Sequence, residues 1–209
     1  MIIKICGVKT KDILITCENN SVNFYGMIFY KNSPRNINNE EARNLQKISE
    51  NLNINGVGVF VDEELKNIML MSEKLNLKYV QLHGNEDNNY IKSIKEKNIK
   101  VIKKISISDK VDLNSIMNFK SADYYLFDYK PTKGELPGGN AKSFNWSIVE
   151  NLKIDKPWFL SGGINLQNIR YITNNINPHG IDLSSGVEKE VGIKDNVMIN
   201  KLISNLKDA

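Results

Sequence analysis

WFLSGGIN at residues 158–165 and GIDLSSGV at residues 180–187 share one layout, a short apolar run followed by a turn of small residues. Each turn stands where a strand should pass into a helix, and the two strands are consecutive in the chain. Unpaired N–H groups and the positive dipole ends of two neighbouring helix N-termini favour a phosphate. We therefore predict an anion site between the turns and a phosphorylated small-molecule substrate.

Short β-branched runs alternate with amphipathic helical patterns along the whole chain. The predicted strands are Ile2 to Cys6, Val22 to Phe29, Gly56 to Val61, Tyr79 to Leu82, Lys100 to Ile105, Tyr124 to Asp128, Trp158 to Leu160 and Gly180 to Ser184. The predicted helices are Lys11 to Asn19, Asn39 to Glu50, Glu63 to Leu75, Glu86 to Asn98, Val111 to Phe119, Trp146 to Leu152, Asn165 to Asn174 and Lys194 to Leu206.

Eight strand–helix units in 209 residues indicate an α/β fold, and specifically a (β/α)8 TIM barrel of parallel strands. A doubly wound open sheet is the alternative, and it normally has fewer strands. No linker-like stretch divides the chain, so we expect a single domain over residues 1–209. In a barrel the active site lies at the carboxyl ends of the strands.

Composition is ordinary for a globular protein, with 41% hydrophobic and 25% charged residues. The net charge of +4 is spread along lysine-bearing helices, which disfavours a nucleic-acid partner. Two cysteines and no apolar run of membrane-spanning length predict a cytoplasmic protein with no membrane partner. The sequence leaves monomer and homodimer equally open.

The ends of the predicted strands carry one thiol, one carboxylate, one arginine and the two phosphate-type turns. These strand ends contain neither a cluster of histidines and carboxylates nor Cys and His residues at zinc-binding spacing. We therefore expect an acid/base enzyme that uses no metal and no cofactor.

Cys6 closes the first predicted strand, where a buried cysteine commonly serves as a small hydrophobic residue. Lys4 has the same strand parity, so both side chains should point into the barrel. An ammonium beneath a thiol favours the thiolate, which near neutral pH can act as a general base. Cys17 follows Ile13 by one helical turn and is expected only to pack.

Asp128 ends an apolar strand and precedes the longest irregular segment of the chain, residues 129–143. Its carboxylate could simply cap the following turn. Long loops on compact barrels are commonly lids or binding loops, and exclusion of water by a lid suits a general acid beneath it. We therefore predict that Asp128 acts as a general acid.

Three further polar residues have a predicted place. Arg35 follows Pro34 in the loop after the second strand and can hold a carboxylate bidentately, although a solvated loop arginine is an equal alternative. His83 can contact a ligand or hydrogen-bond to the next helical turn. His179 precedes a strand, which predicts a position at the opposite end of the barrel.

Nine short motifs occur between residues 4 and 195. They are KICG at 4–7, GMIFYKNSPR at 26–35, GVGVFV at 56–61, VQLHG at 80–84, LFD at 126–128, GG at 138–139, SGG at 161–163, DLSSGVE at 182–188 and GIKD at 192–195. In this order and over nearly the full length they resemble the phosphoribosylanthranilate isomerase family. The resemblance implies an Amadori rearrangement of N-(5-phosphoribosyl)anthranilate to 1-(2-carboxyphenylamino)-1-deoxyribulose 5-phosphate, in tryptophan biosynthesis.

The resemblance also implies roles for individual residues. Asp128 would protonate the furanose ring oxygen, Cys6 would take the proton from the adjacent sugar carbon, and Arg35 would hold the anthranilate carboxylate. The remaining residues that it places at the substrate are His83, Gly162, Gly163, Asp182, Ser184, Ser185 and Gly186. The main chain of the two turns within this set would hold the phosphate.

The chain departs from the family pattern in the lid. The family usually has Gly-Gly-Thr-Gly followed by Phe-Asp-Trp, whereas this chain has GGNA at 138–141 and FNW at 144–146. Ala141 adopts positive φ less readily than glycine, so the lid geometry and turnover are expected to differ.

Closure of the barrel also makes the first and last strands neighbours, which predicts an ion pair between Lys4 and Asp182 below Cys6.

Two other functions remain open at this point. One is another sugar-phosphate barrel, such as indole-glycerol-phosphate synthase, which would carry catalytic lysines at strand ends, or a ribulose-phosphate epimerase. The other is a barrel that binds the phosphorylated ligand without turning it over.

Overall fold

A computed structural model describes residues 1–207 and contains a closed barrel of eight parallel strands. The strands are β1 (Ile2–Cys6), β2 (Phe24–Ile28), β3 (Asn55–Phe60), β4 (Tyr79–Leu82), β5 (Lys100–Ile107), β6 (Tyr124–Tyr129), β7 (Trp158–Leu160) and β8 (Gly180–Leu183). Each strand pairs with the next along the chain, and β1 pairs with β8 to close the ring. The predicted TIM barrel is confirmed, with every strand end within two residues of its predicted position.

Helical segments connect most of the strands. The α-helices are α1 (Lys11–Asn19), α2 (Asn39–Ser49), α3 (Leu65–Lys74), α4 (Asn88–Lys95), α5 (Ile169–Tyr171) and α6 (Asn196–Lys207). Within residues 1–207, none of these combines the length and the apolar character required to cross a membrane.

Three of the predicted helices have a different form in the structure. Residues Lys110–Phe119 and Trp146–Val149 are 3₁₀-helices, and α5 continues as a π-helix over Ile172–Ile176. In the first of these segments, Asp112 accepts hydrogen bonds from the backbone amides of Ser108 and Asp109. These bonds belong to a capping box with Asp109, which fixes where the segment begins.

Apolar side chains fill the inside of the barrel in layers. The interior cluster consists of Cys6, Phe24, Val57, Val59, Ile102, Leu126 and Phe159. Near the amino ends of the strands, the ring of Phe24 packs edge-on against Tyr79 and Phe159, with centroids 4.9 Å and 6.2 Å away. The carbonyl of His179 accepts from the Ile2 amide at this end, as predicted. The opposite end is the one that opens into a cleft.

A short antiparallel hairpin follows β8 and was not predicted. It consists of β9 (Glu188–Glu190) and β10 (Ile193–Lys194), and Gly192 makes its turn with φ of 85°. The predicted last helix therefore begins two residues late, at Asn196. The hairpin places a buried glutamate and a buried lysine beside the carboxyl end of β1.

The segment between β6 and the 3₁₀-helix at Trp146, residues 130–145, is called the lid loop below. It contains no helix or strand. Asn140 Nδ2 donates to the Leu136 carbonyl at 2.8 Å, which closes a compact turn within the loop. Ala141 has φ of 57°, a left-handed conformation that costs a non-glycine residue about 1–2 kcal/mol. Ala141 therefore adopts a positive φ despite this cost.

Candidate active site

The carboxyl ends of the strands surround a cleft with two connected parts. One part, about 380 Å³ in volume, is lined by the two small-residue turns and by lid-loop residues 138–142. The other, about 550 Å³, is lined by Cys6, Arg35, His83 and several apolar side chains. The residues that line both parts are Asp128, Gly138, Gly139, Ser161, Asp182 and Ser184. The candidate acid and the candidate base therefore face one continuous cleft.

Lys4 and Asp182 form a buried ion pair beneath the cleft. The register of β1 and β8 places them directly opposite each other, and Lys4 Nζ lies 2.9 Å and 3.0 Å from the two carboxylate oxygens. Burial alone would lower the pKa of Lys4, but the charge of Asp182 and its hydrogen bond raise it, so the ammonium stays charged. The predicted pair is confirmed.

Cys6 lies above this pair and is only 6% exposed. Burial raises the pKa of its thiol above the ordinary value, Lys4 opposes that rise, and Asp182 adds to it. The prediction that Lys4 would keep Cys6 as a thiolate near neutral pH is therefore wrong for the ligand-free protein. Desolvation of a buried sulfur outweighs the attraction of an ammonium whose charge Asp182 already neutralises.

Gly26 on β2 provides the space that the thiol occupies. It is paired with Cys6 in the β1–β2 register, and a Cβ atom built on it would lie 2.8 Å from Cys6 Sγ and 3.2 Å from Lys4 Nζ. Carbon atoms essentially never approach sulfur so closely. A side chain at this position would displace the candidate base.

Asp128 and His83 lie side by side in the lining of the cleft. Asp128 Oδ1 accepts from the Tyr129 amide at 2.9 Å, and Oδ2 lies 3.4 Å from His83 Nε2. His83 Nδ1 lies 2.9 Å from Gln81 Nε2. With the Gln81 amide assigned in this orientation, Nδ1 accepts and the ring proton is on Nε2, facing Asp128. Burial lowers the pKa of His83, so the ring is neutral.

The donors of Arg35 are committed within the site. Nε and Nη2 bind the two carboxylate oxygens of Glu188 at 2.8 Å each, and Nη1 donates to the Gly139 carbonyl at 3.3 Å. Lys194 Nζ also binds Glu188, at 2.5 Å. Burial would raise the pKa of Glu188, but Arg35 and Lys194 hold it below its ordinary value. Arg35 is therefore a rigidly held, buried guanidinium and not a solvated loop residue.

The two small-residue turns come together as predicted, but without the predicted helix ends. Gly162 and Gly163 have φ of 91° and 65°, and α5 begins only at Ile169. Residues Ser185–Val187 make a single 3₁₀ turn. An anion here would consequently meet backbone amides of turns, with little contribution from a helix dipole.

Gly186 has a different place from the one predicted. The residues that the two turns contribute to the smaller part of the cleft are Ser161, Gly162, Gly163, Ile164, Ser184 and Ser185. Gly186 packs against the Ile164 carbonyl, which a Cβ atom at this position would overlap. Its role in the structure is therefore to let the turns after β7 and β8 approach each other. Ser184 Oγ donates to the Cys6 carbonyl at 3.2 Å, so it ties β8 to β1.

Sequence reasoning missed four polar residues that surround the cleft. Gln81, Lys104, Glu188 and Lys194 are charged or polar, and all are buried in the structure. Gln81 and Lys104 occupy inward positions of strands that are otherwise apolar, which is a signal that strand parity could have revealed. Glu188 and Lys194 belong to the motifs DLSSGVE and GIKD, but no role was predicted for them because the hairpin that places them beside Arg35 was not predicted.

Among residues 1–207, no group of three or more His, Cys, Asp or Glu side chains is arranged to hold a metal ion. The site consists of a buried carboxyl group, a thiol, an anchored guanidinium and the main chain of two small-residue turns at the mouth of a parallel barrel. This combination defines a (β/α)8 enzyme of the acid/base class.

The comparisons with known proteins then give the family. Residues 3–205 match the family described as N-(5'-phosphoribosyl)anthranilate (PRA) isomerase, and the chain belongs to that family. The N-(5'-phosphoribosyl)anthranilate isomerase of Paramagnetospirillum magneticum is 35% identical over 204 residues, which cover 96% of this chain and 94% of the relative.

Solved structures agree with this assignment. Phosphoribosyl anthranilate isomerase from Thermotoga maritima superposes with a TM-score of 0.89 at 31% identity over the full length of both chains, and it is described as dimeric. A phosphoribosyl anthranilate isomerase in complex with reduced 1-(o-carboxyphenylamino)-1-deoxyribulose 5-phosphate has a TM-score of 0.85 at 30% identity, again over both full chains.

Proposed function

We propose that this chain converts N-(5'-phosphoribosyl)anthranilate into 1-(2-carboxyphenylamino)-1-deoxyribulose 5-phosphate, with Asp128 as the acid and Cys6 as the base. The reaction is the isomerase step of tryptophan biosynthesis. The observation that carries the residue roles is that Asp128, Cys6 and Arg35 line one cleft next to the two small-residue turns.

The two parts of the cleft suit the two ends of this substrate. The smaller part presents the backbone of Gly162, Gly163 and Ser185 to the phosphate. The larger part has walls of Ile28, Val59, Val61, Leu136 and Pro137, which suit an aromatic ring, and Arg35 lies at its edge for the ring carboxylate. The sugar would then lie between them, beside Asp128.

The chemistry needs one proton donor and one proton acceptor. Asp128 protonates the furanose ring oxygen, the bond from that oxygen to C1 breaks, and the nitrogen lone pair forms a C1=N iminium. Cys6 then removes the proton from C2, and its electron pair neutralises the iminium to give an enolamine. Tautomerisation of the enolamine yields the ketone. Each transfer is a general acid or base step of the usual kind.

The raised pKa of Cys6 is compatible with its role as the base. Once the ring has opened, the iminium places a positive charge next to the thiol, and an opposite charge favours the thiolate. Lys4 adds to this effect from below. We therefore infer that Cys6 is converted to the thiolate, the form that can accept the proton, only after Asp128 has acted, which orders the two steps.

Three further expectations belong to the same proposal. The chain acts on a small phosphorylated substrate in the cytoplasm, without a nucleic-acid or membrane partner. It works as a monomer or homodimer, and the dimeric relative favours the latter. It needs no cofactor, because proton transfers alone complete the reaction.

The test is turnover of phosphoribosylanthranilate by the wild type and by Cys6→Ser, Asp128→Asn and Cys17→Ser. Removing the acid or the base should lower kcat/KM by about 10²–10⁴, the usual contribution of a positioned acid or base. Cys17 lies in the core outside the cleft, so Cys17→Ser is the control for loss of a buried thiol and should keep the wild-type rate.

Two results would change the proposal. Full activity of Cys6→Ser would exclude Cys6 as the base. An inactive wild type that still binds the reduced product analogue would identify the chain as a binding protein.

A further inference from the structure

Lys104 is a buried cation at the mouth of the barrel that the proposed reaction does not use. Lys104 lies on β5, where it is paired with Leu126 of β6 and follows Ile102 by two residues. Leu126 and Ile102 both belong to the interior apolar cluster. The Lys104 side chain therefore points into the barrel, where the residue is 6% exposed. An ammonium is costly in such a place unless a partner compensates for the lost water.

That partner is the lid loop. Lys104 Nζ donates to the Pro137 carbonyl at 2.5 Å. Burial lowers the pKa of Lys104, and the charge of Asp128 acts in the opposite direction. Hydrogen bonds from a charged donor are about twice as strong as those between neutral groups. The loop is consequently held from inside the barrel at the residue that precedes the glycine pair Gly138 and Gly139.

Those two glycines cover the polar side chains of the larger part of the cleft. A Cβ atom on Gly138 would collide with His83 Nε2, and one on Gly139 would collide with Arg35 Nη1. His83 Nε2 is buried and has no well-formed hydrogen bond within residues 1–207. The Gly139 carbonyl occupies the Arg35 Nη1 donor, so a substrate oxygen that binds this nitrogen has to replace it as the loop shifts.

We propose that Lys104 is a positioning residue that holds the Pro137 carbonyl and thereby keeps Gly138 and Gly139 over His83 and Arg35. It sets how often the cleft opens to admit substrate and to release product. The proposal rests on the proposed function, because it takes His83 and Arg35 as substrate-binding residues. Lys104 itself stays on the barrel side of the loop and contacts no reacting atom.

The first test is backbone hydrogen exchange of the ligand-free protein. In Lys104→Met, amides of residues 136–143 should exchange about tenfold faster, since one charge-assisted hydrogen bond is lost. Lys156→Met is the matched control, because Lys156 Nζ also binds a main-chain carbonyl, that of Ala122 at 2.6 Å, but before β7 at the amino end of the barrel. It should leave exchange in the lid loop unchanged.

The second test is the release rate of the reduced product analogue by stopped flow. Release should be about tenfold faster from Lys104→Met than from the wild type or Lys156→Met, and Lys104→Arg, which keeps a charged donor, should restore much of the slow release. If Lys104→Met does not fold, Lys104→Gln retains a polar group without the charge and should show the same acceleration confined to the loop.

Two outcomes would overturn the proposal. One is unchanged exchange at residues 136–143, and the other is faster exchange spread evenly over the protein, which would mean general destabilisation. The exchange measurement needs no substrate, so it stands even if turnover is absent. An inactive wild type would overturn the proposed function, and loop exchange would still decide whether Lys104 holds the loop.

Discussion

The two residues proposed to transfer protons, Cys6 and Asp128, are held by opposite means. Cys6 lies over a floor of β1 and β8, where Lys4 and Asp182 pair across the closing seam of the barrel. Asp128 lies under a roof, the lid loop, which has no regular secondary structure and contains a residue in a strained conformation. The floor is built from strand register and cannot move without opening the barrel, whereas a few side-chain bonds hold the roof. Changes to the floor should therefore affect stability, and changes to the roof should affect binding and release.

The largest effect on stability should come from the floor. Lys4→Met is expected to lower the free energy of unfolding by about 3–5 kcal/mol, because Asp182 is left buried without its counter-ion. Lys66→Met is the control, since Lys66 pairs with Glu64 at 2.8 Å in full solvent and such pairs contribute at most about 1 kcal/mol. Urea unfolding measures both. Equal losses in the two variants would show that the floor pair does not stabilise the barrel.

The raised pKa of Cys6 predicts the pH dependence of its alkylation. The thiolate is the reactive form, so in a Cys17→Ser background the rate with iodoacetamide should be low at pH 7 and should rise about tenfold per pH unit past pH 8.5, where a free cysteine levels off. The rise in alkylation rate shifts to higher pH because the pKa of Cys6 in the folded protein lies above the ordinary value. A plateau below pH 8 would mean that Lys4 prevails over burial.

Between floor and roof, Glu188 holds the guanidinium of Arg35. In Glu188→Gln the shape is kept and the charge is lost, so we expect KM to rise about tenfold with a smaller change in kcat, as for a group that orients a binding residue. Glu190→Gln changes an exposed glutamate on the same strand and should leave both constants unchanged. A fall in kcat with KM constant would instead link Glu188 to the chemical step.

The smallest effect should come from Ala141 in the roof. Ala141→Gly removes the left-handed strain but adds freedom to the unfolded chain, so the unfolding free energy should rise by less than about 1 kcal/mol. Asn177→Gly is the matched control, because Asn177 has φ of 47° at the end of a helical segment distant from the cleft. If only Ala141→Gly also changes kcat, lid geometry limits turnover.

The same contrast explains what the sequence could and could not predict. The barrel follows from the number of strands, and the pairing of Lys4 with Asp182 follows from strand parity. Both can be read from the hydrophobic periodicity of the sequence. The protonation of Cys6 was missed because it depends on a balance between burial and two opposite charges, and no pattern in the sequence measures that balance. The partner of Arg35 was missed because Glu188 lies 153 positions away on a hairpin without a clear strand signal.

The seam between β1 and β8 also bears on how the protein is made. Lys4 leaves the ribosome well before its counter-ion, which follows 178 positions later. At translation rates of about 5–20 residues per second, the nascent chain carries an unpaired lysine on its first strand for roughly ten seconds or more. A chain cut short before Asp182 would keep both Cys6 and Asp128, the proposed base and acid, and still lack the partner that lets Lys4 enter the interior. Activity should consequently emerge only after β8 has been synthesised, with no active product that ends before Asp182.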